Sequence, residues 1–222
     1  MISSLKPVSF FSPPPSFSSP RVRQRRPAIF FDRDGVINQR IVGGYVTSWS
    51  EFRFLDGMIP VLRDLSRLKL PIIVVSNQAG VGKGLMSRFA LGAITERFVS
   101  ELARRGARMD AVYYCPHAPE QACPCRKPQP GLLLRAARDW RIDLSRSVLV
   151  GDSLRDIEAA SAVDCRGILF DPNREFSAID ITGRDRSGEP GAHVAPTAVV
   201  RRAADLYGQV KAILGRSGRS GF

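Results

Sequence analysis

Three short apolar runs in this chain each end on a carboxylate, a hydroxyl or an amide. Ala28–Phe31 runs into Asp32 and Asp34, Pro71–Val75 into Ser76 and Asn77, and Ser147–Val150 into Gly151 and Asp152. Apolar runs of this length, without alternation, are strands covered on both faces. A fourth such run spans Ala111–Tyr114 and a last one Gly167–Phe170. Stretches of helical period lie between them. Leu62, Leu65 and Leu68 follow Asp56 and Gly57, which predicts a helix with a capping residue. Phe89, Ile94, Phe98 and Leu102 predict a longer helix, and 132–140 and 156–162 two more. Strands alternating with helices imply parallel βαβ units, hence a doubly wound α/β sheet with helices on both faces. In such sheets ligands bind at the carboxyl ends of the strands, where these polar residues fall.

Composition agrees with one decorated domain. The chain has 222 residues, 44% hydrophobic, enough for a core. No run of 18 apolar residues occurs, so no membrane helix is expected. The formal net charge is +12, but residues 1–27 hold five basic residues and no acid, and 201–222 hold five against one. The middle is nearly balanced, so the charge does not argue for nucleic acid, and neither nucleic acid nor membrane is an expected partner. Residues 1–27, rich in Ser and Pro, are expected to be a disordered extension, with an organellar transit peptide as the minority reading. The folded domain is expected over 28–171, a loop over 172–196, an amphipathic helix over 197–215 and a flexible tail over 216–222. The helix carries Val199, Val200, Ala203, Leu206, Tyr207, Val210 and Ile213 as its apolar stripe. A monomer is expected.

The residues at the strand ends suit a phosphomonoester. Carboxylates alone would repel a phosphate; Mg²⁺ held by Asp32 and Asp152 removes that repulsion, since this hard ion takes oxygen ligands. A carboxylate can attack phosphorus to form an aspartyl-phosphate. The second, two residues on, can protonate the leaving oxygen and then deprotonate water. Lys127 and the Ser76 hydroxyl supply charge and a donor to the phosphoryl oxygens. A fragment that looks like a P-loop, Gly80–Gly84, lacks the Ser or Thr after Lys83 and is dismissed.

Phe30–Asn38, Val74–Gly80, Cys125–Gly131 and Val150–Asp156 resemble, in order, the four motifs of the haloacid-dehalogenase superfamily of phosphatases. The resemblance implies that Asp32 is the nucleophile and Asp34 the acid/base, with its backbone carbonyl on Mg²⁺. It implies that Ser76 and Lys127 hold the phosphoryl group and that Asp152 completes the metal site. Asp156 is left between orienting Lys127, indirect metal binding and helix capping. Only 43 residues separate Asp32 from Ser76 and 50 separate Ser76 from Lys127, too few for a separate cap domain.

Cys115, His117, Cys123 and Cys125 form a Cys₃His set suited to structural Zn²⁺, with no ligand position left open. The set abuts Arg126 and Lys127, so zinc would fix the loop that presents the lysine. Cys165 is expected to be a buried small hydrophobe and His193 to be solvated.

Two groups of the superfamily share such a loop. Asp34–Asn38, Gly44–Val46, Tyr114–His117 and Cys125–Gly131 resemble the D-glycero-D-manno-heptose 1,7-bisphosphate 7-phosphatases. The five residues between His117 and Cys123 are closer to the histidinol-phosphate phosphatases. The first resemblance implies a phosphorylated sugar substrate, a cytoplasmic location and recognition by Arg126, with Tyr45, Asn77 and Gln78 as candidate sugar contacts. A polynucleotide phosphatase and a non-catalytic zinc-stabilised binding module are the remaining alternatives.

Overall fold

The structure is a computed structural model in which residues 8–11, 25–176 and 194–216 are described. The strands are β1 (Val8–Phe11), β2 (Ile29–Phe31), β3 (Ile72–Asn77), β4 (Ala111–Cys115), β5 (Val148–Gly151), β6 (Arg166–Phe170) and β7 (Ala198–Val200). The helices are α1 (Met58–Ser66), α2 (Ala79–Gly82), α3 (Arg88–Arg104), α4 (Gly131–Trp140), α5 (Leu154–Ser161) and α6 (Ala203–Arg216). Among the described residues the strands form one sheet in the order β1-β4-β3-β2-β5-β6-β7, parallel except for β1.

Alternation along the buried strands divides the core in two. Ile29, Phe31, Ile72 and Val74 face a cluster with Leu62 and Leu65 of α1, Leu91 and Phe98 of α3, and Leu206 and Val210 of α6. Ala28, Phe30, Ile73 and Val75 face the other, with Leu132 and Ala136 of α4 and Ala159 and Ala160 of α5. The expected doubly wound architecture is therefore present, its two apolar layers built from successive residues of the same strands. After β2 the chain winds outward through β3 and β4, then returns to place β5 on the other side of β2. The crevice at this reversal lies between the ends of β2 and β5, which carry Asp32 and Asp152.

Four local expectations are corrected. The first concerns the N-terminal extension: Val8–Phe11 pairs antiparallel with β4, with Phe11 opposite Ala111. Val-Ser-Phe-Phe favours extended backbone, and pairing covers the edge that β4 would otherwise present. Next, the expected cap of α1 carries no side chain: Gly57 occupies the N-cap, at φ 77, and no side-chain hydrogen bond closes that end. Phe89 is 87% exposed; the buried stripe of α3 is Leu91, Ile94, Phe98 and Leu102. Finally, Val199 and Val200 belong to β7, hydrogen-bonded beside β6, and the last helix begins only at Ala203. Two adjacent β-branched residues gain more from the open edge of β6 than from a helical turn. Cys165 is buried as expected. The Gly80–Gly84 fragment starts within α2. His193, most of the 172–196 loop and the end of the 216–222 tail lie outside the described residues. No described helix is long and apolar enough to cross a membrane.

Candidate active site and cysteine cluster

Asp32 leaves the end of β2 almost buried, 9% exposed. Its Oδ1 accepts the Arg33 backbone N–H at 2.8 Å and lies 3.0 Å from Lys127 Nζ. Burial pushes its carboxyl up to about 6, with Lys127 pulling the other way and the charge of Asp156 adding to the rise. Asp152, after β5, is pushed up to about 8 by burial and by the charges of Asp32 and Asp156. Its approach to β2 depends on Gly35. At φ 85 this residue turns the chain back, and a Cβ there would sit 1.9 Å from Asp152 Oδ2.

Lys127 joins these carboxylates. It is buried, donates to the Val75 carbonyl at 2.9 Å, and pairs with both Asp32 and Asp156. Burial alone would lower its pKa; the charges of Asp156 and Asp32 outweigh it and hold the ammonium protonated. Asp156 is fully buried and uses its two oxygens differently. Its Oδ1 pairs with Lys127, while Oδ2 accepts from the Ser153 backbone N–H at 3.1 Å and the Ser153 hydroxyl at 2.6 Å. It orients the lysine and caps α5 together.

Asp34 points into a different set of donors. Arg33 reaches Oδ1 from Nε (3.1 Å) and Nη2 (2.9 Å) and Oδ2 from Nη2 at 2.9 Å. Asn38 Nδ2 donates to Oδ1 at 2.8 Å and Gln78 Nε2 to Oδ2 at 2.7 Å. Arg33 itself is fully buried, its guanidinium 5.6 Å from the centre of the Tyr114 ring. The arrangement presents Asp34 as an acceptor.

The amides expected at the substrate face inward instead. Asn77 exchanges two 3.0 Å hydrogen bonds with the backbone N–H and C=O of Lys127, locking the lysine's loop to the end of β3. Gln78, fully buried, holds Asp34 and donates to Ser76 Oγ at 3.3 Å. Tyr45 lies against α2 with Lys83 Nζ 5.6 Å from its ring centre. Arg126 is half-buried, donates to the His117 carbonyl at 3.4 Å and lines a cleft of about 550 Å³ beside Lys127. Across the centre, Arg40 reaches Asp152 Oδ2 at 3.4 Å and Glu175 at 2.8 Å, beside a second cleft of about 300 Å³. Arg33 and Arg40 are residues the sequence reading missed. For Arg33 the signal was its place between two aspartates at a strand end; for Arg40 there was none, because its partners are more than 100 positions away.

The donor sets decide which metals fit. One oxygen of each of Asp32, Asp152 and Asp156 lies within 4.8 Å of the others. Three buried carboxylates with one lysine leave excess negative charge, and hard oxygen donors match Mg²⁺. Cys115, His117, Cys123 and Cys125 also converge within 4.8 Å, with sulfur–sulfur and sulfur–Nδ1 separations of 3.3–3.5 Å and no disulfide. A tetrahedron of Zn–S and Zn–N bonds has edges of about 3.5–3.8 Å, so the cluster is close to the size of that ion's cage. Crowding already favours a thiolate: the Cys125 hydrogen bond pulls Cys115 down to about 5, while the contact with Cys115 and burial push Cys125 up.

The profile of the haloacid dehalogenase-like hydrolases matches residues 32–164, and a second, HAD-hydrolase-like profile matches 124–206. The chain belongs to the haloacid dehalogenase-like hydrolases. Within this family it is 41% identical over 142 residues to a D-glycero-β-D-manno-heptose-1,7-bisphosphate 7-phosphatase of Photorhabdus laumondii, covering 61% of this chain and 74% of that protein. The enzyme of the same name from Escherichia coli is 41% identical over 145 residues, 62% of this chain and 75% of that one. A D,D-heptose 1,7-bisphosphate phosphatase from B. bronchiseptica, solved with magnesium and phosphate, superposes with a TM-score of 0.73 at 32% identity, covering 84% and 98% of the two chains. Haloacid dehalogenase-like phosphatases use Mg²⁺, in keeping with the oxygen-donor set at Asp32 and Asp152.

Proposed function

We propose that this hydrolase removes the 7-phosphate of D-glycero-D-manno-heptose 1,7-bisphosphate through an aspartyl-phosphate on Asp32. The observation that carries the reading is the convergence at one sheet edge of a buried Asp32–Lys127–Asp156 chain, Asp152 and a caged Asp34. The names of the relatives at 41% identity supply the substrate.

Asp32 and Asp152, with the backbone carbonyl of Asp34, would hold Mg²⁺, which neutralises charge on the phosphoryl oxygens and on the nucleophile. Lys127 and Arg33 N–H fix Asp32 through Oδ1 alone, so neither bond occupies Oδ2, the oxygen that attacks phosphorus. As the bond from Asp32 to phosphorus forms, the bond to the sugar oxygen breaks, and Asp34 gives that oxygen its proton. In the second step water attacks the aspartyl-phosphate, and Asp34 takes the water's proton as phosphate leaves and the Asp32 carboxylate is restored. The cage of Arg33, Asn38 and Gln78 arranges Asp34 as the acceptor that this second step needs. Ser76 and Lys127 hold the transferred group, and Asn77 acts by fixing the Lys127 backbone. Arg126 at the cleft meets the remainder of the substrate. Cys115, His117, Cys123 and Cys125 would hold a Zn²⁺ that keeps the 115–125 loop, and hence Arg126, in place. The reaction is assigned to the cytoplasm.

Phosphate release from heptose 1,7-bisphosphate, histidinol phosphate and a 3′-phosphorylated oligonucleotide, side by side, tests the assignment. The expected preference for the bisphosphate is two decades or more, lost in Asp32→Asn. A preference for histidinol phosphate would reassign the substrate to the reading that the short zinc-loop spacing supports. Turnover unchanged in Asp32→Asn would overturn the mechanism.

A further inference from the structure

The 550 Å³ cleft beside Lys127 is walled by Cys123 and Pro124 on the loop side, Arg126 and Gln129 at the rim, and Arg155 from the first turn of α5. Its volume is that of a small-ligand site. No carboxylate lines it. Arg126 has a single carbonyl partner at 3.4 Å, and Arg155, exposed, has no hydrogen bond or ion pair among the described residues. Arg40, Arg104, Arg105, Arg108 and Arg202, by contrast, each pair with at least one acid. Two guanidiniums without acidic partners, facing one cleft, form a site for an anion with several acceptor oxygens, which forked N–H donors recognise better than an ammonium does. The cleft meets the reaction centre at Lys127, which lines it and also pairs with Asp32. An anion bound there would lie beside a phosphoryl group on Asp32.

We propose that Arg155 is a specificity-determining residue: with Arg126 it binds the second, non-reacting phosphate of a bisphosphate substrate. The inference rests on the bisphosphatase reading above and adds a residue that reading does not use. Arg155 shares α5 with Asp156 but has a separate task. Asp156 faces inward to Lys127, and Arg155 faces out to the cleft.

The test compares kcat/KM for heptose 1,7-bisphosphate with that for heptose 7-phosphate, which lacks the distal group. Wild type, Arg155→Gln and Arg155→Lys are measured, with Tm as the check on folding. The ratio of the two kcat/KM values should fall about tenfold in Arg155→Gln, equivalent to about 1.4 kcal/mol. The loss should lie in KM for the bisphosphate, and Arg155→Lys should recover part of it. A ratio unchanged in Arg155→Gln, with wild type still preferring the bisphosphate, overturns the inference and leaves the bisphosphatase reading intact. Equal losses of kcat on both substrates would mean that Arg155 only supports α5, which also overturns it. An unchanged ratio with weakened inhibition by inorganic phosphate would assign the cleft to free phosphate instead, again against the proposal. A wild type indifferent to the second phosphate overturns the bisphosphatase reading, and this inference with it.

Discussion

Two clusters of side chains whose donors suit a metal ion lie close to Lys127 in the chain or in space, and they are built by opposite rules. Asp32, Asp152 and Asp156 are hard oxygen donors brought together from the end of β2 and, more than 100 positions later, from the end of β5 and the first turn of α5, and the burial of Asp32 and Asp152 is only partly relieved by Lys127. Cys115, His117, Cys123 and Cys125 are soft donors drawn from eleven consecutive residues, packed to contact with one another. A reacting centre needs an exchangeable cation with room for substrate oxygens; a loop brace needs a closed shell. A single residue separates them along the chain: Cys125 ends the second cluster, Arg126 turns to the cleft and Lys127 enters the first. The contrast suggests a division of labour, with carboxylates for chemistry and thiolates for position.

The largest expected effect comes from the carboxylate side. Asp32→Asn should lower kcat on the order of 10⁴-fold or more in steady-state phosphate release while leaving Tm within a few degrees, since the amide nearly matches the carboxylate in size. Loss of fold instead would mean that Asp32 is chiefly structural. Lys127→Met should be damaging twice over. It strands Asp32 and Asp156 without their buried cation, at about 3–5 kcal/mol of stability by chemical denaturation, and it also removes a phosphoryl contact. A stable but inactive variant would show that the aspartates do not depend on the ammonium.

On the other side of Lys127, Cys125→Ser should release zinc, measured by metal analysis, and lower kcat/KM by about one to two decades through the Arg126–Lys127 segment. Full activity without zinc would break the link between the clusters. A smaller effect separates them by pH. Asp32 and Asp152 are raised to about 6 and about 8, so without metal each adds stability below the ordinary carboxylate range near 4 and loses it as pH rises through those values. Mg²⁺ relieves the ionised carboxylates, so the Tm gain from added Mg²⁺ should grow between pH 5 and pH 8. A gain independent of pH would place the ion elsewhere.

The sheet was legible because its strands are apolar runs bounded by Gly, Pro and acid, and β2, β3, β4, β5 and β6 fall where those runs do. The convergence of Asp32 with Asp152, and of Cys115, His117, Cys123 and Cys125, was legible because these residues sit at strand ends or within a short spacing, while Asp156 was left open. What escaped the sequence was direction. Asn77 and Gln78 follow Ser76 and read as substrate contacts, yet the turn after β3 aims one at the Lys127 backbone and the other at Asp34. Arg33 stands between two aspartates in the sequence, but its burial becomes visible only when Tyr114 and Asp34 close around it. Val199 and Val200 fit a helical stripe, and only the free edge of β6 makes them a strand. Each of these depends on a partner distant in sequence, which no local pattern records.

The division of labour is tested most directly by passing the purified enzyme over a mild chelator and following zinc content and phosphate release together. The account predicts that activity disappears and returns on adding Mg²⁺ alone, while zinc stays bound throughout. Activity that survives the loss of Mg²⁺, or that returns only when zinc is added back, would contradict it.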